Sequence, residues 1–202
     1  MRHRRWPLAA RVALLAGLTG VILFGGRWLI LRLYPLEYQA QVVARSAEYH
    51  VDRNLVWAII RVESGFKPGA TSVQGARGLM QIMPETGEWI ARQMGLPYNP
   101  QMLYDPDYNI RVGTWYLSEL QTEFGGDTVL ALAAYNGGRT NVRQWLNERQ
   151  WTGENHTLEQ IPFKETRLYV GKVLRDQDRY RVLYGANSPL GKGISHAGTL
   201  AP

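Results

Sequence analysis

The sequence predicts an all-α fold: one helical domain preceded by a single N-terminal helix long enough to cross a membrane. Three observations carry this reading. Apolar residues recur at helical spacing through most of residues 34–184. No alternating β-branched run bounded by hairpin turns occurs. Residues 12–31 are apolar or small apart from Thr19 and Arg27. The expected organisation is a membrane anchor over 1–33, a helical domain over 34–184, and a flexible tail over 185–202 rich in Gly, Ser and Ala.

A helix of about 20 residues spans roughly 30 Å, the thickness of a bilayer core. Arg2, Arg4, Arg5 and Arg11 flank its near end and favour a cytoplasmic N-terminus. Arg27 lies close enough to the far end to snorkel, and Trp28 and Tyr34 sit there as interfacial aromatics. A cleaved secretory signal shares the basic start and apolar centre, but no Ala-x-Ala site follows the run, which favours a retained single-pass anchor. Either way the body is expected outside the cytoplasm, with membrane lipid as a partner of residues 12–31.

In the body, residues 37–50 and 54–63 read as a helix pair broken at Val51-Asp52, with Asp52 as a cap. Leu55, Val56, Ile59 and Ile60 give the second helix a buried stripe. Pro84 sits at a helix start and Gly95 at its stop. Asp107 is expected to cap a long helix to Phe124, with Tyr108, Val112, Trp115, Tyr116 and Leu120 facing the core. Gly125-Gly126 ends it, and Asp127 opens an all-apolar run that should be deeply buried. A shorter helix over 141–148 and a final one over 164–184, behind Pro162, complete the domain.

Charge and composition exclude several function classes. Of 23 Lys and Arg, six lie in residues 1–33, where there is no acid; the remaining 17 balance the 17 Asp and Glu. The net charge of +6 therefore belongs to the N-terminal segment, and a nucleic-acid partner is not expected. With no cysteine there is no disulfide framework, thiolate metal site or cysteine nucleophile. The four histidines are scattered without metal-ligand spacing, so neither metal nor cofactor is expected.

Glu63 ends the apolar helix stripe, at the edge of the core, where partial burial would raise its pKa toward values useful to a general acid. By position alone the better reading is an ordinary solvated glutamate in a last helical turn. Three further runs stand out. In Gly75-Ala76-Arg77-Gly78-Leu79-Met80-Gln81-Ile82-Met83-Pro84 two glycines permit close backbone approach, and Gln81 offers a donor and an acceptor suited to sugar hydroxyls and acetamides. Ala134-Tyr135-Asn136-Gly137-Gly138 delivers an aromatic ring and an amide where a buried helix stops. The third run is Ile161-Pro162-Phe163-Lys164-Glu165-Thr166-Arg167-Leu168-Tyr169-Val170.

Together and in order, Glu63-Ser64, Gly78-Leu79-Met80-Gln81, Ala134-Tyr135-Asn136 and Glu165-Thr166-Arg167-x-Tyr169-Val170 resemble the catalytic domain of soluble-type lytic transglycosylases, related to goose-type lysozyme. The resemblance covers about residues 38–184. It implies a lysozyme-like helical fold and cleavage of the β-1,4 bond between N-acetylmuramic acid and N-acetylglucosamine in peptidoglycan glycan strands. It also implies that Glu63 is the sole catalytic acid/base. Ser64, Ser72, Gln81, Tyr135, Asn136 and Glu165 are carried over by that resemblance as cleft or substrate contacts, with Tyr169 close enough to orient Glu63. Met80 reads equally as cleft wall or core packing.

Most glycosidases use two carboxylates. Between Glu63 and Glu85 there is no Asp or Glu, so the segment expected to line the cleft supplies no acidic partner. Substrate assistance is the physical alternative: the muramoyl 2-acetamido carbonyl stabilises the anomeric centre while Glu63 acts first as acid, then as base on the sugar's own 6-hydroxyl. A 1,6-anhydromuramoyl end would result. A goose-type muramidase on the same scaffold, a non-catalytic wall-binding module and a membrane scaffold protein are the competing expectations.

Overall fold

The computed structural model describes residues 8–185, excluding the side chains at positions 10–14, 16, 22 and 23. The described residues fold as helices and loops with no strand; isolated bridges join Thr71 to Arg77 and Arg77 to Ile82. The expected tail lies outside the described residues, apart from position 185.

The chain forms two compact units, dividing between Leu36 and Glu37. The first contains α1 (Leu8–Leu33), 26 residues long, in which the Arg32 guanidinium lies over the Trp28 ring at 5.2 Å. Among the described residues no helix is long and apolar enough to cross a membrane. The expected span over 12–31 includes six positions whose side chains lie outside the described residues.

The second unit contains α2 (Gln39–Glu48), α3 (Arg53–Glu63), α4 (Pro84–Met94), α5 (Pro106–Glu123), α6 (Thr128–Gly137), α7 (Arg139–Asn147) and α8 (Lys164–Tyr184). Its centre is α3, packed chiefly against α8. Leu55, Val56, Ile59 and Ile60 are buried as their spacing predicts, and Trp57 and Ala58 are buried too, so this short helix is enclosed on nearly every side. Trp57 stacks on Tyr180 of α8 at 6.1 Å between ring centroids, and its indole N–H donates to the Glu37 carbonyl at 3.1 Å.

Asp52 caps α3 as expected, accepting from the Asn54 backbone N–H at 2.9 Å. It does more: its other carboxylate oxygen accepts from Gln177 Nε2 at 2.9 Å and from Arg181 at 3.1 Å, tying the start of α3 to the end of α8. Burial pushes the Asp52 carboxyl up, but the hydrogen bonds from Gln177, Asn54 and Arg181 outweigh it and hold the pKa below the usual carboxylate value. The stabilisation is therefore present above the unfolded pKa and fades as pH falls through the lower folded one. Asp52→Ala should cost about 2 kcal/mol in urea unfolding at pH 7, less near pH 3; an equal cost at both pH values would contradict this account.

Pro84 starts α4, and Gly95 ends it in the left-handed conformation at φ 65°. The long helix departs from expectation. Asp105, not Asp107, caps α5, accepting from the Tyr108 N–H, because Pro106 supplies the first helical residue. Asp107 instead pairs with Arg45 of α2 at 2.9 Å. The buried face of α5 is Asn109, Ile110, Val112, Gly113, Thr114, Leu117 and Leu120. Tyr108, Trp115 and Tyr116 are only half-buried, so the expected face is rotated. A helical period predicts a stripe but cannot choose between neighbouring stripes when aromatics occupy both.

Asp127 caps α6 through the Val129 and Leu130 N–H groups, and Val129 and Ala131–Ala134 are buried as the all-apolar run requires. The next helix starts at Arg139 rather than 141, directly after Gly138.

Candidate active site

Glu63 is the last residue of α3, so the most buried helix of the domain delivers its final side chain to the domain's surface. There it faces a cavity of about 690 Å³. Ser72, Gln81, Tyr135, Asn136 and Glu165 line the same cavity. Three further chain segments thus converge on one carboxyl.

Burial raises the Glu63 carboxyl to about 7, with the negative charge of Glu165 adding to the rise. Tyr169 opposes it by favouring the ionised form, and Lys172 does the same through its charge. The Tyr169 hydroxyl is buried, with no partner at normal hydrogen-bond geometry. Burial and the Glu63 charge keep this hydroxyl protonated, so toward Glu63 it acts as a donor, and it is not among the groups that line the cavity. Near neutral pH, Glu63 is therefore balanced between a form that gives a proton and one that takes it.

The loop from Thr71 to Ile82 owes its shape to a buried side chain. Asn109 on α5 accepts from the Met80 N–H at 2.7 Å and donates to the Arg77 and Leu103 carbonyls at 3.0 and 2.7 Å. Gly78 passes through at φ 78°; a Cβ there would lie 2.0 Å from the Leu103 oxygen and 2.4 Å from Asn109 Nδ2. Close approach explains this glycine, whereas Gly75 has open space around it and supplies only a positive φ of 92°. Gln81 is held in the left-handed region at φ 50°. Its Nε2 donates to the Gly78 and Ala70 carbonyls, so the donor expected to meet a ligand is spent on the loop and the Oε1 acceptor is what remains.

Tyr135 donates to the Met80 carbonyl at 2.9 Å, fastening this loop to α6. Burial, and then the Glu63 charge, hold its hydroxyl well above the usual tyrosine range, so it stays a donor. Asn136, which lines the cavity, accepts from the Thr166 hydroxyl at 2.8 Å through its Oδ1, so the amide N–H₂ is the group left to donate. Ser72 accepts from the Ala76 N–H, closing a turn as well as lining the wall. Glu165 is exposed in the first turn of α8, where a negative charge is favoured by the helix N-terminus.

Ser64, an expected contact, lies elsewhere, and the choice left open at Met80 resolves to packing. Ser64 forms the C-terminal cap of α3, and its hydroxyl donates to the Ile60 carbonyl. Met80 is fully buried against Gly113 and Thr114, so packing is its role. Met83, Phe163, Lys164 and Thr166 line the cavity without having been singled out; all four fall inside motif runs. Gln74 carried no sequence signal. Asn109 carried a faint one, as a polar residue within a helical stretch of large side chains.

Residues 41–158 match the model of the transglycosylase SLT domain, well over half of the chain. The chain belongs to the transglycosylase SLT family. The block from Glu165 to Val170 lies beyond the matched residues. The SLT chain is 37% identical over 155 residues to the soluble lytic murein transglycosylase of Escherichia coli K12, covering 75% of this chain and 24% of that protein. It is 34% identical over 167 residues to a membrane-bound lytic murein transglycosylase C of Sodalis glossinidius, covering 72% and 47%. Among solved structures it resembles an inactive Glu-to-Gln mutant of the Pseudomonas aeruginosa lytic transglycosylase Slt, at TM-score 0.69 and 39% identity, over 78% of this chain and 26% of that one. The SLT chain thus spans about a quarter of the length of the soluble relatives it matches.

Proposed function

We propose that this chain is a peptidoglycan lytic transglycosylase that cleaves the β-1,4 bond between N-acetylmuramic acid and N-acetylglucosamine with Glu63 as its acid/base. The observation that carries the reading is that the Glu63 carboxyl, raised to about 7 by burial, faces a cavity whose wall includes the hydrogen-bonding side chains of Ser72, Gln81, Tyr135 and Asn136. Neutral Glu63 protonates the bridging oxygen as the bond breaks, and the muramoyl acetamido carbonyl stabilises the anomeric carbon. The resulting carboxylate then takes the proton of the 6-hydroxyl of the same sugar, whose oxygen bonds to that carbon. Glu63 ends neutral, no water is consumed, and the product is a 1,6-anhydro end. In this reading Gln81 Oε1 and the Asn136 amide meet sugar polar groups, and Tyr169 positions Glu63.

A hydrolytic reading draws support from Glu165, a second carboxylate on the same cavity, which could hold a water as base. Mass spectrometry of peptidoglycan digested by the purified chain separates the two. Anhydro ends, lighter by one water than reducing ends, are expected throughout; predominantly reducing ends would overturn the lyase reading in favour of the muramidase.

The same proposal places residues 12–31 in the membrane, with the SLT domain on the outer side. The 26-residue length of α1, the flanking arginines and the likeness to a membrane-bound relative support it. Deleting residues 1–33 should move the protein from the membrane fraction to the soluble extract; continued sedimentation with membranes would argue for another attachment.

A further inference from the structure

We propose that the outer face of α8 is a docking surface for anionic phospholipid, holding the SLT domain against the membrane that residues 12–31 enter. The inference rests on that membrane placement and adds which face of the domain meets the bilayer.

Leu168, Lys172, Arg175, Arg179 and Val182 recur at i, i+4, i+7, i+11 and i+14 of α8. They therefore form one stripe, about 21 Å long at 1.5 Å per residue. All five are exposed, whereas Tyr169, Val170, Val173, Tyr180 and Tyr184 are buried. Leu168 is 61% exposed and Val182 77%, so the stripe carries three cations between two open apolar side chains. The acids of α8 lie off it. Glu165 lines the cavity, Asp176 is buried and pairs with Arg61, and Asp178 pairs with Arg181 at 3.2 Å. Arg179 reaches Asp176 at 3.4 Å, yet its side chain stays 57% exposed.

This pattern suits the boundary between headgroups and acyl chains, where Lys and Arg meet phosphate while apolar neighbours sink past it. Beyond position 33 the basic and acidic residues balance at 17 each, so the domain as a whole is not drawn to an anionic surface. The uncompensated stripe is what selects a face. Each basic residue near an anionic bilayer strengthens association about fivefold, so three give about a hundredfold. That is too little to hold a free domain but enough to orient a tethered one. Residues 34–38 alone join α1 to α2, a span of at most about 20 Å when extended, so the tether is short.

The absence of cysteine allows a single nitroxide label in the full chain, at Val182→Cys on the stripe or at Glu119→Cys on the exposed side of α5. Each labelled chain is reconstituted in vesicles of phosphatidylcholine alone or with about 30% phosphatidylglycerol, and collision with a neutral, water-soluble nickel chelate is measured. The anionic vesicles should lower collision at position 182 about threefold and leave position 119 unchanged. Arg175→Glu, or about 0.5 M salt, should restore collision at 182 to within about 1.5-fold of the neutral vesicles. Equal collision at 182 in both vesicle types overturns the docking surface. So does an equal fall at 119, or a fall at 182 that neither Arg175→Glu nor salt reverses. In each of those outcomes the chain still floats with the vesicles; a chain that floats with neither kind removes the membrane placement and the docking surface with it.

Discussion

Replacing Glu63 with Gln should lower glycan cleavage by about 10³-fold or more, because a single group carries both proton transfers and an amide can perform neither. The same substitution should stabilise the fold at alkaline pH. The folded pKa of about 7 lies above the ordinary value of 4.5, so the folded protein holds a proton that the unfolded chain releases between those limits. Stability therefore falls as pH rises through that window, and above pH 7 the buried carboxylate costs at most about 3 kcal/mol. Glu63→Gln should recover much of this at pH 8 and almost none at pH 4. In the unmodified chain, activity should decline above about pH 7 as the acid form is lost. An active Glu63→Gln protein, or one whose stability difference from the parent does not change with pH, would contradict the assignment.

Gly78→Ala is expected to have the largest effect on stability, at least about 4 kcal/mol. Two causes combine. The φ of 78° is strained for any residue with a Cβ, and the added carbon would fall 2.0 Å from a backbone oxygen and 2.4 Å from the Asn109 amide. Neither neighbour can give way cheaply: the oxygen belongs to the Leu103 backbone, and the amide holds three hydrogen bonds from a buried position. Relief would displace Met80, whose carbonyl accepts from Tyr135, and so loosen the wall opposite Glu63. Urea unfolding reads the loss directly. A Gly78→Ala protein within about 1 kcal/mol of the parent would show that this loop has more room than its packing indicates.

Helix positions were legible where caps and breakers act locally. Asp52, Pro84, Gly95 and Asp127 each perform the expected task, because a cap or a breaker needs only its immediate neighbours. Asp107 misled because two aspartates flank Pro106, and only the backbone geometry shows that the proline takes the first helical position. Trp115 and Tyr116 misled for a longer-range reason. Hydrophobic periodicity registers that a side chain is apolar, not whether a neighbouring helix covers it, and here the rings meet Trp89 and Arg139 at a partly open surface.

For the candidate site, motif order was enough to nominate Glu63, Gln81, Tyr135, Asn136 and Glu165, since short runs of unusual residue types survive as linear text. Which atoms of those residues face the cavity was not written there. Gln81 spends its donor on the Gly78 and Ala70 carbonyls, Met80 retreats into the core, and Ser64 turns back on its own helix. Nor did the gap in acidic residues after Glu63 reveal that Glu165, 102 positions later, would share its cavity. Helix type and chain order follow from interactions within a few residues. Burial, and with it the proton affinity of Glu63, arises only when segments far apart in the chain exclude water from the same place.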